Sequence, residues 1–277
     1  MSDFEYLRRI TIGQYLPLGS TIHQIDPRSK LAGFSLIILA LTLTSSLLGL
    51  VSGLGIVFLL VILSKIPFAY VFRGLLTPLP FLLILAILQI FTQPHSVDSL
   101  PILDFQGIMV FPEGIRAGIM LLMKFTSLVF ILTVVSATIS TLEMIHGLDL
   151  LLKPARRIGI KTEAAAMTLQ ITLRFIPFLA ISAERIAKSQ VSRGANWGSR
   201  KANLITKVRQ IIPLLIPLFN GSLKQAESLA DAMLARGYAG GELRTGMVEY
   251  QFGKNDLIFL LACGIMTLVI WIPLFSI

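Results

Sequence analysis

Charge is scarce in this sequence, and cysteine and histidine are scarcer still. Asp, Glu, Lys and Arg together make up 14% of 277 residues against 55% hydrophobic ones, and the mean hydropathy is +0.80. A soluble domain of this length cannot be so apolar, so the composition excludes the soluble class and leaves an integral membrane protein. The single cysteine, Cys263, lies inside an apolar run, which excludes an internal disulfide and a cysteine-based metal cluster. His23, His95 and His146 are widely separated, which argues against a metal site. There is no GxxxxGK(S/T) phosphate loop, so the chain itself is not expected to hydrolyse nucleotide, and no HExxH or GxSxG pattern to mark a hydrolase. The apolar runs lack paired carboxylates for proton relay or acid–base work. No catalytic residue and no cofactor is therefore expected. The first 30 residues carry seven charged side chains and no apolar core of signal-peptide length, so the N-terminus is expected to be retained.

What is present is a series of apolar runs divided by basic segments. The net charge of +9 is spread between apolar stretches and not over a soluble face, so it speaks for membrane orientation and against nucleic acid. Five runs read as membrane spans, at about residues 31–48, 53–64, 74–91, 117–139 and 257–273. Ser45, Ser46, Gly49, Ser52 and Gly53 place a tight turn between the first two. Pro78 and Pro80 fall near the start of the third, where missing N–H groups cost little. Residues 92–113 form a loop with Asp98, Asp104 and Glu113 but no Lys or Arg, and Pro94, Pro101 and Pro112 argue against regular helix there. Lys124 lies about two turns inside the fourth span, so it either snorkels from a tilted helix or faces protein or a water-filled cavity.

Residues 140–254 offer no uncharged span. Residues 162–192 read as one long helix opened by a Thr162-Glu163 cap and kinked at Pro177, its second half charged by Glu184, Arg185 and Lys188. A turn at Asn196, Gly198 and Asn203 leads to a second helix over residues 204–236, bent at Pro213 and Pro217. Leu223, Ala226, Ala230 and Met233 form its stripe for close helix crossing, and Gly240 and Gly241 lie in the loop after it. Residues 1–30 hold four Lys or Arg, residues 65–73 two and residues 140–254 sixteen, while the 92–113 loop holds none. With five spans, all the rich segments fall on one side, giving a cytoplasmic N-terminus and an outside C-terminus in the cell membrane. The expected fold is thus all-α and polytopic, with about five transmembrane helices plus long crossed cytoplasmic coupling helices. Its divisions are residues 1–139, spans one to four; 140–255, the cytoplasmic part; and 256–277, the last span.

The two long helices end alike. One closes on Gln190-Val191-Ser192-Arg193-Gly194, the other on Met233-Leu234-Ala235-Arg236-Gly237. Glycine takes the left-handed conformation that stops a helix, and a cation suits the negative end of the helix dipole. A single such ending is only a cap. A matched pair in a cytoplasmic segment fits two equivalent sites on a partner.

Three blocks resemble the transmembrane T component of energy-coupling factor transporters, the importers in which paired ABC ATPases drive a substrate-binding membrane subunit. Gly13-x-Tyr15-x-Pro17-x-x-Ser20-x-x-His23-x-x-Asp26-Pro27-Arg28-x-Lys30 resembles the family's entry signature before its first span. Leu173-Arg174-Phe175-Ile176-Pro177, followed by Glu184 and Gln190, resembles its first coupling helix, and Ala232-Met233-x-Ala235-Arg236-Gly237-Tyr238 its second Ala-Arg-Gly motif. The match covers most of the chain. The resemblance implies that the helix ends at Ser192, Arg193 and Gly194 and at Ala235, Arg236 and Gly237 each enter a groove on one of two ABC ATPase subunits. Ser192 departs from the alanine more usual in the family. It further implies a small substrate-binding membrane subunit as partner, within the lipid bilayer, and uptake of vitamins, their precursors, or cobalt or nickel ions. The rival readings are a lipid-interacting membrane enzyme or channel with a basic cytoplasmic region, and a receptor or scaffold with no transport role.

Overall fold

Helix α1 (Pro27–Leu43) begins where a proline takes the first helical position and the preceding aspartate caps it, Asp26 Oδ1 accepting from the Arg28 amide at 2.8 Å. The structure, a computed structural model, describes residues 15–92, 103–105, 108–154, 162–194, 204–238 and 252–275. Thr44 ends α1 and Ser46 caps α2 (Leu47–Leu63), its hydroxyl accepting from the Gly49 amide. The turn between the first two spans is therefore only Thr44–Ser46, and both helices lie earlier than the expected 31–48 and 53–64. A serine followed by five uninterrupted apolar or small residues starts a helix at once; Gly49 and Gly53 belong to the helix and not to the turn.

The third expected span is two helices, α3 (Phe68–Leu76) and α4 (Leu79–Thr92), bent by 58° at Thr77–Pro78. Pro78 has no amide to continue the helix, and Pro80, the second residue of α4, lacks another. Two three-residue strands, β1 (Leu103–Phe105) and β2 (Ile108–Val110), pair antiparallel in the loop that was expected to be irregular. The long α5 (Pro112–Thr138) follows. Then α6 (Thr141–Leu151), absent from the sequence reading, opens on a reciprocal capping box: the Ser140 amide donates to Glu143 Oε2 at 3.1 Å and the Glu143 amide to Ser140 Oγ at 3.2 Å. Helices α7 (Thr162–Ser192) and α8 (Leu204–Ala235) match the expected long pair, the helical backbone running through Pro177, Pro213 and Pro217, and α9 (Lys254–Phe275) is the last. Thr162 is the first described residue of α7. The expected features at Gly13, Pro94, His95, Asp98, Pro101, Asn196, Gly198, Asn203, Gly240 and Gly241 lie outside the described residues.

The protein is thus an all-α polytopic membrane protein. By length and apolarity α5, α9 and the bent pair α3–α4 each suffice to cross a bilayer, and α1 and α2 at 17 residues sit at the short end of the range. Residues Ala164–Ser192 of α7 are also long and apolar enough, a difference from the sequence reading. The charges Glu184, Arg185 and Lys188 fall in the second half of that helix, so its apolar character resides in the first.

The chain falls into two compact units. One holds residues 13–150 and 249–277, with α1 to α6 and α9; in the other, within residues 151–248, α7 packs on α8. In the first unit α5 packs against α1, α2, α3 and α4, and α9 against α1 and α2. Phe34, Ile37, Leu41, Val57, Val61, Ile131, Val134 and Ile270 are almost wholly buried between them. Between membrane helices close backbone approach, more than apolar burial, drives association. Gly49-x-x-x-Gly53 and Gly114-x-x-x-Gly118 serve it. A Cβ on Gly49 would lie 2.6 Å from the Ile270 carbonyl oxygen, and one on Gly114 2.3 Å from that of Ile90. Gly55, on the same helix as Gly49, meets nothing within 4 Å. Gly114→Ala is therefore expected to destabilise the protein by about 1–3 kcal/mol, the usual cost of overpacking. Gly55→Ala should be neutral or stabilising by a few tenths, since alanine is the better helix former. Thermal unfolding of the detergent-solubilised variants, read by loss of the monodisperse peak, compares the two directly.

Candidate coupling site

The end of α8 is a complete Schellman stop. The Tyr238 amide donates to the Met233 carbonyl at 3.0 Å and the Gly237 amide to the Leu234 carbonyl at 2.9 Å, with Gly237 at φ +79°. The end of α7 shows the matching inner bond, the Gly194 amide to the Val191 carbonyl at 2.9 Å, with Gly194 at φ +89°. Both glycines hold a conformation that L side chains adopt at a cost of about 1–2 kcal/mol. Neither is fixed by crowding, since a Cβ on Gly194 or Gly237 would meet nothing within 4 Å. The backbone turn alone requires glycine.

This turn puts Arg193 and Arg236 at equivalent places, the last residue before each glycine, at the carbonyl end of each helix. Ser192, Arg193, Gly194, Ala235, Arg236 and Gly237 are all exposed, and among the described residues neither guanidinium has a carboxylate partner. Each side chain thus offers a planar donor fork beside an exposed helix end, suited to a carboxylate or a row of carbonyls on another protein. The Ser192 hydroxyl turns back onto its own helix, donating to the Ser189 carbonyl at 2.9 Å, which satisfies it locally. The ion pair of Lys188 with Glu184 is exposed and contributes little.

The face of α8 nearest its neighbour differs from the expected one. Leu223, Ala226 and Ala230 are exposed, whereas Leu214, Leu218, Ser222, Leu229 and Met233 are half-buried along one stripe. That stripe is rotated by about a quarter of a turn from the alanine-rich one. On α7 Ala187 is 1% exposed.

The second group of sequence-marked residues belongs to the other unit. The His23 ring bridges its own segment: Nε2 donates to the Leu16 carbonyl at 2.8 Å, which in the neutral ring leaves Nδ1 to accept the Ser20 hydroxyl at 2.6 Å. Tyr15 meets the same ring edge-on at 5.8 Å. Partial desolvation, and after it the Glu143 carboxylate, raises the Tyr15 phenol above its ordinary value. Asp26 caps α1, donates its own amide to Asp256 Oδ1 at 2.7 Å, and lies 3.8 Å from Arg28 Nε. Pro27 supplies the first residue of α1, and Pro17 is exposed in the segment before it.

The residue that holds this signature together is Lys30. It is 0% exposed, and Nζ donates to the His23 carbonyl at 2.8 Å and to the Thr138 carbonyl at 3.4 Å, with Glu143 Oε2 3.7 Å away. One ammonium thus joins the turn before α1, the end of α5 and the start of α6, while Asp26 and Asp256 join α1 to α9. Gly147 brings α6 against the start of α1, where a Cβ would lie 2.8 Å from Leu31 Cδ1 and 3.0 Å from Pro27 Cβ. Sequence reasoning missed Glu143 and Asp256. The Ser140-x-x-Glu143 spacing was the available signal for the first; Asp256 carried none, being one carboxylate beside an apolar run.

Lys124 faces protein. Its Nζ donates to the Thr44 carbonyl at 3.1 Å, capping the end of α1. The four last carbonyls of a helix lack partners within it, so a lysine placed there offsets its own desolvation.

A family model described as cobalt transport protein, CbiQ, matches residues 19–247 of the chain. The energy-coupling factor transporter transmembrane protein EcfT of Clostridium kluyveri is 34% identical over 252 residues, covering 91% of this chain and 92% of that protein. Proteins of the same name from Thermosediminibacter oceani and Listeria innocua are 33% and 34% identical, covering 94% and 92% of this chain and 96% of each relative. The similarity extends through both units described above.

Proposed function

The chain belongs to the family of energy-coupling factor transporter transmembrane proteins, and from that membership we propose that it couples two ABC ATPase subunits to a separate substrate-binding membrane subunit. The observation that carries the reading is the matched pair of helix stops, each presenting an exposed arginine with no carboxylate partner among the described residues beside a positive-φ glycine. Two identical devices fit two copies or near-copies of one docking groove, as an ATPase pair offers. ATP binding closes the ATPase pair, shifts α7 against α8, and the shift reaches the spans through the chain at Leu151, where α6 begins the passage into the coupling helices. Lys30 and Glu143 hold the start of α6 to the end of α5 and the turn before α1, so a displacement of α6 is shared by the spans.

In this reading the chain catalyses nothing. Residues 140–255 form the cytoplasmic coupling part, residues 1–139 and 256–277 the membrane part, with the N-terminus inside and the C-terminus outside in the cell membrane. The cargo is a vitamin, a vitamin precursor, or a cobalt or nickel ion, chosen by the substrate-binding partner. The test is affinity purification of the tagged chain from detergent-solubilised membranes of its native host, with identification of what accompanies it. ABC ATPases together with a small membrane protein are the expected companions. Recovery of the folded chain with no ATPase at all overturns the coupling reading and leaves the enzyme, channel or scaffold readings.

A further inference from the structure

The first unit holds a cavity that the coupling reading does not use. It measures about 390 Å³, within the ~300–1,000 Å³ range of small-molecule pockets, and lies between the end of α2, the turn before α1 and the first half of α9. Its wall is apolar for most of its extent, through Leu60 and Leu63 of α2 and Phe259 and Met266 of α9. Thr21, Gln24 and Asn255 add hydroxyl and amide groups to it, and none of its described lining residues is a carboxylate. Leu63 and Ile258, 45% and 64% exposed, mark its rim, so it opens on the face of α2 and α9 that the bilayer would cover.

Two lysines adjoin lining residues along the chain. Lys65 follows Leu63 by two residues, held at φ +56° as the chain leaves α2, and Lys254 directly precedes Asn255 as the first residue of α9; both are exposed. The Asp256 carboxylate accepts from the Asp26 and Gly253 amides at 2.7 Å and does not line the cavity. An apolar slot with amide donors, bordered in sequence by two exposed lysines, matches an amphiphile with a long hydrocarbon tail and an anionic head. We propose that this cavity binds one acyl chain of an anionic glycerophospholipid, with Lys65 and Lys254 holding the phosphate and Gln24 and Asn255 donating to the head-group oxygens. Basic positions where helices meet the membrane surface select anionic lipids in this way.

The test uses the full chain in vesicles of phosphatidylcholine mixed with brominated phosphatidylglycerol, whose bromines quench tryptophan on contact. Trp197 and Trp271 are replaced by phenylalanine, and Leu63→Trp places a reporter on the cavity rim; Phe81→Trp, on the 63% exposed side of α4, is the bulk-lipid reference. The expected result is half-maximal quenching of the Leu63→Trp reporter at a phosphatidylglycerol fraction about fivefold or more below that of the reference. Adding Lys65→Gln with Lys254→Gln, both at exposed positions, should remove the difference. So should Ala262→Phe, which fills the cavity and leaves both lysines. Equal quenching at the two reporters overturns the proposal. A preference that survives Ala262→Phe in folded protein also overturns it, in favour of head groups gathered at surface lysines. A reporter that no lipid quenches means that protein covers the cavity, and the proposal fails.

Discussion

Replacing Arg193 and Arg236 together by glutamate is expected to abolish recovery of ATPase subunits with the purified chain, while leaving its insertion and thermal stability unchanged. Both arginines are exposed and neither pairs with a described carboxylate, so the folded chain itself loses little. Helix ends should survive the change, because the stop is made by Gly194 and Gly237 and by backbone bonds. The loss falls on the complex. Truncating one partner of a buried, hydrogen-bonded charge pair at an interface costs about 2–5 kcal/mol, or roughly 30-fold to several thousandfold in affinity, and reversal adds repulsion. Each single Arg→Glu change is expected to weaken association at its own end by about 30-fold or more and leave the other end docked, so only the double variant should release both subunits. Arg→Lys at either position should give an intermediate loss, since an ammonium keeps the charge but not the planar fork. Co-purification at two ionic strengths separates this from loose charge attraction. If wild type and double variant recover equal ATPase, the two helix ends are caps and nothing more.

The second large effect is expected inside the membrane unit. Lys30→Met keeps the length of the side chain and removes the ammonium, leaving the His23 and Thr138 carbonyls without their donor and Glu143 without its cation. Breaking a buried pair on one side costs about 3–5 kcal/mol. Glu143 keeps part of its satisfaction, being 23% exposed and bonded to the Ser140 amide, so the lower figure applies, about 3 kcal/mol. For a chain of this size that corresponds to a fall of about 6–12 °C in the unfolding midpoint. Glu143→Gln should cost only about 1 kcal/mol, since the amide oxygen still accepts from Ser140. The double-mutant cycle between positions 30 and 143 measures the pair itself, and a Lys30→Met variant as stable as wild type would show that the carbonyl bonds contribute nothing net.

These two sites differ in how far the sequence displayed them. The two arginine-bearing helix ends were legible almost residue by residue, because a helix stop is local: a glycine at positive φ preceded by an arginine writes its own backbone geometry into five or six consecutive residues. The signature before α1 was legible as a pattern but not as a structure. His23, Asp26 and Lys30 stand in one short stretch, yet their partners at Thr138, Glu143 and Asp256 lie more than a hundred residues away, and no periodicity announces such contacts. Helix α6 was lost in the same way, although its capping box was present in the residues. The packing face of α8 was misread because alanines at helical spacing look like a close-crossing stripe whichever neighbour is available. Only the position of α7 decides which quarter of the helix is covered.

The sequence alone determined the class of the molecule and the two arginine-bearing ends. Each follows from composition, from apolar runs of bilayer length or from local backbone preference, and none requires knowledge of what touches what. The tertiary structure decided the rest. It broke the third span at Pro78 and set Gly49 and Gly114 so close to neighbouring carbonyls that a single methyl would disrupt the contact. It gave Lys124 the end of α1 to cap, and made Lys30 the meeting point of three segments. In a bilayer a buried ammonium or a bare glycine is tolerated only where another helix supplies the carbonyl or the close surface, and which helix does so is set by the fold.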